Sequence, residues 1–351
     1  MKRTRTAPLA AVLAGLLMAG CQPDADVQQP AEAVPGSVLP GNFPTPVYAL
    51  EQNSPDRATF ELGRRLFYDK RLSGDGTVAC SSCHLQPAAF ADPGRAFSTG
   101  VQGRLGTRNT PPLQNLRWRR TLLWDGGASN LEVMPLAPLT NPLEMDGSLA
   151  GALQTLNADA YYRRRFAAVY GEGPINSQQF LRALAQYLAG LTSANSRYDH
   201  YVRREGGAFD ATELRGLAIF RANCASCHAT DLFTDESFRN NGLDRSFPAD
   251  SGRAHITGRR GERGLFKVPS LRNVALTAPY MHDGRFPTLG AVLAHYDHGV
   301  VESATLDPAL RRPDGSLGIP LSAQQQAELL AFLQTLTDEP LLTNPQLGPP
   351  Q

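Results

Sequence analysis

The spacing of apolar residues along this chain predicts helices and almost no strand. Glu61-Leu62-Gly63-Arg64-Arg65-Leu66-Phe67 and Glu213-Leu214-Arg215-Gly216-Leu217-Ala218-Ile219-Phe220 both set apolar side chains at helical spacing. Their likeness marks a weak internal repeat. Further helix candidates are Asn157–Tyr170, Ser177–Leu191, Thr288–Asp297 and Ser322–Leu336. The last opens on a capping box, Ser322 with Gln325, and continues with Leu329, Leu330, Phe332, Leu333 and Leu336. No stretch alternates with period two over a useful length. With 32 Gly and 27 Pro in 351 residues, much of the remainder reads as loops.

Each of the two repeated helices leads into the same five-residue string. Cys80-Ser81-Ser82-Cys83-His84 and Cys224-Ala225-Ser226-Cys227-His228 both read C-x-x-C-H, the attachment signature of c-type haem. Two thiols at this spacing add across the two vinyl groups of one porphyrin, and the following His supplies a ring nitrogen to the iron. A single copy could be a redox or zinc pair followed by a chance His; two copies make that reading improbable. The expected fold is mainly α and loop-rich, with two cytochrome c-like domains each holding one covalent haem. The porphyrins then supply much of the two cores.

Cysteine usage and the first residues suggest an address. The chain has five Cys, four of them in the haem strings. The fifth, Cys21, follows Leu17-Met18-Ala19-Gly20, after a basic start (Lys2, Arg3, Arg5) and an apolar run to Met18. Residues 1–20 read as a lipoprotein signal peptide, too short to span a bilayer, with Cys21 lipidated after cleavage. Acylation at that residue would give a stable anchor. Residues 21–42, poor in large apolar side chains, read as a flexible tether. Residues 43–205 and 206–345 are then the two haem domains. Once Lys2, Arg3 and Arg5 leave with the leader, the 34 basic and 33 acidic residues become a slight acidic excess, so nothing points to nucleic acid. The expected location is the periplasm, with the membrane reached only through the lipid anchor.

Several further strings, in order, carry a resemblance. They are Thr107-Arg108-Asn109-Thr110-Pro111, Leu123-Trp124-Asp125-Gly126-Gly127, Asn141-Pro142-Leu143-Glu144-Met145 and Thr277-Ala278-Pro279-Tyr280-Met281-His282-Asp283-Gly284-Arg285. With the two haem strings, this order resembles the bacterial di-haem cytochrome c peroxidase family that includes MauG. The resemblance implies that the first haem reacts with hydrogen peroxide and the second relays electrons. It implies that Trp124 lies between the haems and that Glu144 moves a proton on bound peroxide. It implies one Ca²⁺ held by Asn109, Thr277 and Pro279, and it puts His282 near the haem propionates rather than on iron.

The departures from that pattern are also informative. Conventional peroxidases of the family carry a gating His in the loop after the first haem. Here no His occurs between His84 and His200, and Gly100 falls near the expected place. The resemblance puts Tyr296 where those peroxidases carry a Met on the second iron. On the helix Thr288–Asp297, Leu289, Val292, Leu293 and Tyr296 share one stripe. His295 and His298 fall off it by about 100° and 200° and are expected at the surface or behind the ligand. His295 and Met281 stay open as rival ligands. Met134 stands where the family carries a Gln in the peroxide pocket.

These features favour a MauG-like enzyme that uses peroxide to form a high-valent di-haem state and then oxidises residues of a partner protein. Asn42-Phe43-Pro44-Thr45-Pro46, the stretch 233–242 and the stretch 280–296 are most similar to MbnH-type members. That likeness implies a copper-associated periplasmic partner whose Trp is oxidised to kynurenine. Two alternatives stand beside it. One is a peroxidase that detoxifies peroxide with electrons from a small cytochrome or cupredoxin. The other is a non-enzymatic di-haem electron carrier. Trp118, flanked by Arg117, Arg119 and Arg120, is either a surface hopping station or a partly buried loop residue.

Overall fold

The computed structural model describes residue 1, residues 33–48 and residues 53–351. The proposed leader, Cys21 and most of the tether lie outside the described residues. Eleven α-helices occur among the described residues: α1 (Arg57–Tyr68), α2 (Leu136–Thr140), α3 (Leu149–Ala158), α4 (Ala160–Tyr170), α5 (Ser177–Gly190), α6 (Arg197–Arg203), α7 (Ala211–Asn223), α8 (Arg253–Thr257), α9 (Leu289–Ala294), α10 (Ala323–Gln334) and α11 (Glu339–Thr343). The only ladder among them is two residues long, β1 (Phe238–Arg239) against β2 (Phe266–Lys267), antiparallel with Phe238 opposite Lys267. The chain is thus mostly helical with long loops.

The repeat seen in the sequence becomes a repeated helix pair. α1 packs on α5, and α7 packs on α10. Both contacts are made through a glycine. A Cβ on Gly63 would lie 1.9 Å from the Ala183 carbonyl oxygen, and one on Gly216 would lie 2.0 Å from that of Glu328. Only a residue without a side chain lets these backbones approach so closely. Ser322–Gln325 forms the capping box its sequence predicts; in addition Asp56 accepts from Thr59 N and Asp210–Glu213 forms a second box.

Two expected helices differ. The candidate Asn157–Tyr170 is two helices, because Asp159 ends α3 in extended backbone and caps α4 by accepting from Tyr161 N. The candidate Thr288–Asp297 is α-helical only to Ala294 and continues as a π turn, His295–Gly299. Outside contacts hold that turn, with Ile319 N donating to the Tyr296 carbonyl at 2.6 Å. π turns of this kind re-aim side chains and cluster at functional sites.

Two hydrophobic clusters form. One runs from Phe60 to Leu191 and gathers Cys80 at its edge; the other runs from Tyr198 to Leu336 and gathers Cys224. The chain then returns: Leu341 and Leu347 belong to the first cluster, so the second core ends before residue 345. Gln86 Nε2 donates to the carbonyls of Leu341 and Asn344, and Tyr187 donates to that of Leu347. At the other end, Val34 already packs on the first cluster and Arg117 donates to the Gly36 carbonyl at 2.9 Å. Residues 34–42 are therefore docked rather than a free tether. Arg272 and Asp199, both fully buried, form a two-pronged ion pair at 2.7 and 2.8 Å, and Phe43 lies on the Arg272 guanidinium at 4.5 Å.

Candidate functional site

The two C-x-x-C-H strings fold into the same tight turn. Cys83 N and His84 N both donate to the Cys80 carbonyl, and Cys227 N and His228 N both donate to that of Cys224. Each imidazole is then pinned through Nδ1. His84 Nδ1 bonds the Phe90 carbonyl at 2.7 Å, and His228 Nδ1 bonds those of Phe233 and Pro269 at 3.1 and 3.2 Å. A carbonyl can only accept, so Nδ1 carries the proton and Nε2 keeps its lone pair for a metal. Burial drives the His84 pKa down to about 4 and lowers that of His228, keeping both rings neutral. The four thiols form no disulfide. Burial pushes Cys80 and Cys224 up to about 12 and Cys83 to about 11, the reverse of a redox-active pair. Paired thiols, a neutral imidazole with a free Nε2, and apolar walls fit a covalently attached haem.

Beside the second string lies a large cavity lined by Cys224, Cys227, His228, Trp124, Met281 and Tyr296. Burial pushes the Tyr296 hydroxyl up to about 12, partly offset by the Asn241 amide. Met281 faces the same cavity, with its sulfur accepting from Asn241 Nδ2 at 3.3 Å. His295 does not line it: the ring is buried and its Nε2 donates to the Asn241 carbonyl at 3.0 Å. His298 is exposed beside Asp297. Of the three rivals for the second iron, Tyr296 and Met281 share the cavity and His295 is engaged elsewhere.

Beside the first string the conspicuous acid is Glu144. Its Oε1 accepts from Asn141 Nδ2 at 2.7 Å, and its charge acts on both Cys80 and Cys83. Burial raises its pKa, and the Asn141 hydrogen bond only partly opposes this. Gly100 abuts the Glu144 backbone. A Cβ there would lie 2.2 Å from the Leu143 carbonyl oxygen and 2.5 Å from that of Glu144, while Val101 N donates to the Glu144 carbonyl at 2.8 Å. The position near which a gating His is expected therefore has no room for any side chain.

Trp124 lines both the large cavity and a smaller one that includes Met134, and its Nε1 donates to the Asn109 carbonyl at 2.8 Å. Lys267 also lines both cavities. It is one of three lysines in the chain, burial lowers it to about 8, and its Nζ bonds the Thr121 carbonyl. Sequence reasoning missed it, although a lone Lys between Phe266 and Val268 in an apolar run was a usable signal. Asn109, Thr277 and Pro279 line the large cavity together with His282. Asn109 spends its amide nitrogen on the Arg95 and Ala96 carbonyls, so Oδ1 is the end left for a cation. Neutral oxygens of this kind suit Ca²⁺. His282 stacks on Phe266 at 3.7 Å. Trp118 is buried, edge-on to Phe43, with Nε1 donating to the Pro44 carbonyl; it is a core residue and no surface station.

Comparison with known proteins gives the family. The family profile "Di-haem cytochrome c peroxidase" matches residues 57–207. The methylamine utilization protein MauG of Methylorubrum extorquens is 35% identical over 82% of this chain and 80% of its own. The cytochrome c551 peroxidase of Nitrosomonas europaea is 31% identical over 89% and 90%. A crystal structure of a MauG-like protein associated with microbial copper homeostasis superposes with a TM-score of 0.81 at 38% identity, covering 89% of this chain and 98% of that one. The diheme peroxidase BthA from Burkholderia thailandensis gives 0.71 at 26%, covering 85% and 91%. The chain belongs to the di-haem cytochrome c peroxidase family that includes MauG. It is a peroxide-dependent di-haem oxidoreductase, and membership implies two haem c groups.

Proposed function

We propose that this protein is a MauG-like oxidase that turns peroxide into oxidising equivalents and spends them on residues of a partner protein. The observation that carries the reading is the packing of Gly100 against Glu144, in a stretch without His from Leu85 to Asp199. A haem held by Cys80, Cys83 and His84 would receive no gating side chain from Gly100, and peroxide would need no prior reduction to reach it. When bound, the two haems would supply the redox chemistry with peroxide. Cys80, Cys83, Cys224 and Cys227 would fasten them, with His84 and His228 as proximal ligands. Glu144, whose pKa burial raises, would carry a proton between the two peroxide oxygens. Trp124, on the wall of both cavities, would couple the halves, and Tyr296 would offer a hard oxygen donor to the second haem. Asn109, Thr277 and Pro279 would hold Ca²⁺, and His282 would orient the propionates.

The partner is a periplasmic protein. Likeness to the copper-associated relative supports one from copper handling, and a Trp of that partner is the residue expected to be oxidised, towards kynurenine. Cys21 tethers the enzyme to a membrane; among the described residues no helix is long and apolar enough to cross one. Stoichiometric peroxide added to the fully oxidised protein tests the reading. Both ferric signals should disappear without any reductant; a reaction that waits for reduction of one haem defeats it. Met281 in the Tyr296 cavity favours a second reading, a peroxidase with a Met-ligated relay haem fed by a small cytochrome or cupredoxin. Tyr296→Phe should change the spectrum of the second haem alone; an unchanged spectrum hands that role to Met281.

A further inference from the structure

Tyr198 sits behind the second haem string with a base in hand. Its ring meets Phe233 edge-on at 4.9 Å, and the Phe233 carbonyl accepts from His228 Nδ1. Its hydroxyl donates to Asp231 Oδ1 at 2.6 Å. The ring is 7% exposed, whereas Asp231 is half-buried and Arg221 nearby is exposed, so the pair runs from the interior to the surface. The geometry is held firmly. Arg272 bonds both oxygens of Asp199, the residue after Tyr198, and its Nε donates to the Asp231 carbonyl at 2.7 Å. One buried guanidinium thus locks α6 to the loop that carries Asp231.

Two other tyrosines donate to carboxylates, Tyr48 to Glu132 and Tyr162 to Asp69. Neither has a ring contact to a residue that bonds a proximal His. In the first half, Tyr187 and Tyr68 both donate to the Leu347 carbonyl, an amide oxygen that cannot keep a proton. Oxidising a buried phenol that cannot lose its proton leaves an uncompensated cation in a low-dielectric interior. Tyr198 avoids that cost.

We propose that Tyr198 and Asp231 form a proton-coupled exit station for the oxidising equivalents, an inference that rests on the peroxide-driven reading above. One electron leaves the Tyr198 ring through Phe233 towards the peroxide-oxidised haem held by His228. The phenolic proton moves to Asp231 Oδ1, giving a neutral tyrosyl radical and a carboxylic acid. An electron from an aromatic side chain of the partner then restores Tyr198, and Asp231 returns the proton.

The test uses haem-loaded wild type, Tyr198→Phe and Asp231→Asn without partner. Each receives stoichiometric peroxide and is followed by stopped-flow optical spectra and freeze-quenched EPR. Tyr198→Phe should lose a tyrosyl signal seen in wild type, and the oxidised haem spectrum should decay several-fold more slowly. Asp231→Asn keeps a hydrogen-bond acceptor but not the base, and should slow the decay in the same direction. Decay unchanged in both variants overturns the proposal, whatever happens to their melting temperatures. A wild type whose spectrum ignores peroxide overturns the functional reading beneath it instead.

Discussion

His84 and His228 are pinned by the same device, a carbonyl six or five residues on, yet the two halves around them are built for different work. On the first side the string meets Glu144 and the side-chain-free wall of Gly100. On the second it opens onto Tyr296 and Met281, with Tyr198 behind. Asp92 and Asp235 sharpen the contrast, since each lies two residues after the pinning Phe. Asp235 is held by Arg239 at 2.7 Å and by Ser237, and these bonds outweigh burial and lower its pKa. Asp92 is 4% exposed, its Oδ2 has no hydrogen-bond partner, Arg95 reaches only to 3.7 Å, and burial raises its pKa. The same local sequence pattern thus yields a neutralised charge in one half and a poorly compensated one in the other. The first half tolerates electrostatic strain close to its thiols.

The largest effect should come from removing the proton carrier of the first half. Glu144→Gln should slow the reaction with peroxide by about 10²- to 10⁴-fold, measured by stopped flow, with both haems attached. If Glu144 only props the loop, the rate will follow the melting temperature instead. Because burial raises its pKa, the wild-type rate should change with a midpoint above the ordinary carboxylate range, and that midpoint should vanish in the variant.

Next comes the wall. Gly100→Ala forces a Cβ against two carbonyl oxygens and should cost about 1–3 kcal/mol of stability, read by thermal unfolding. Full stability would mean that the loop moves freely and that the missing side chain is no constraint. Of similar or smaller size is Asp235→Asn, which should cost about 1–3 kcal/mol at neutral pH through the loss of charged hydrogen bonds to Arg239. In wild type this contribution is complete above the ordinary carboxylate pKa and is lost as pH falls through the lowered folded value.

Asp92→Asn should have the smallest effect and the opposite sign. A carboxylate raised by burial favours folding below its ordinary value of 3.8, and that contribution is lost as pH rises through the raised folded pKa. At neutral pH the amide should therefore melt slightly higher than wild type, and the difference should disappear on acidification from there towards pH 3.8. A variant that melts lower at neutral pH would reveal a partner for Asp92 and remove the contrast.

Local patterns in the sequence determined a good deal. The two C-x-x-C-H strings, the helices before them and the Ser322 cap each act over a few residues, and short-range spacing states them outright. The motif order around Trp124 and Glu144 placed the chain in its family. What the sequence could not show depended on residues far apart. The stripe through Leu289, Val292 and Leu293 assumed an unbroken α-helix, but contact with residue 319 turns its end into a π turn, burying His295 and still leaving Tyr296 on the cavity. Residues 21–42 look like a tether by composition, yet Val34 packs on the first cluster and Arg117 captures the Gly36 carbonyl. The sequence left Trp118 open between a surface station and a partly buried residue, and Phe43 and Pro44 decide for burial. The pairing of Tyr198 with Asp231 joins a helix to a loop 33 residues away, through an arginine farther still. Hydrophobic spacing and capping are decided by neighbours along the chain. Partners for buried charges and hydroxyls are decided by which distant segments the packing brings within hydrogen-bond reach, and only the tertiary structure specifies those.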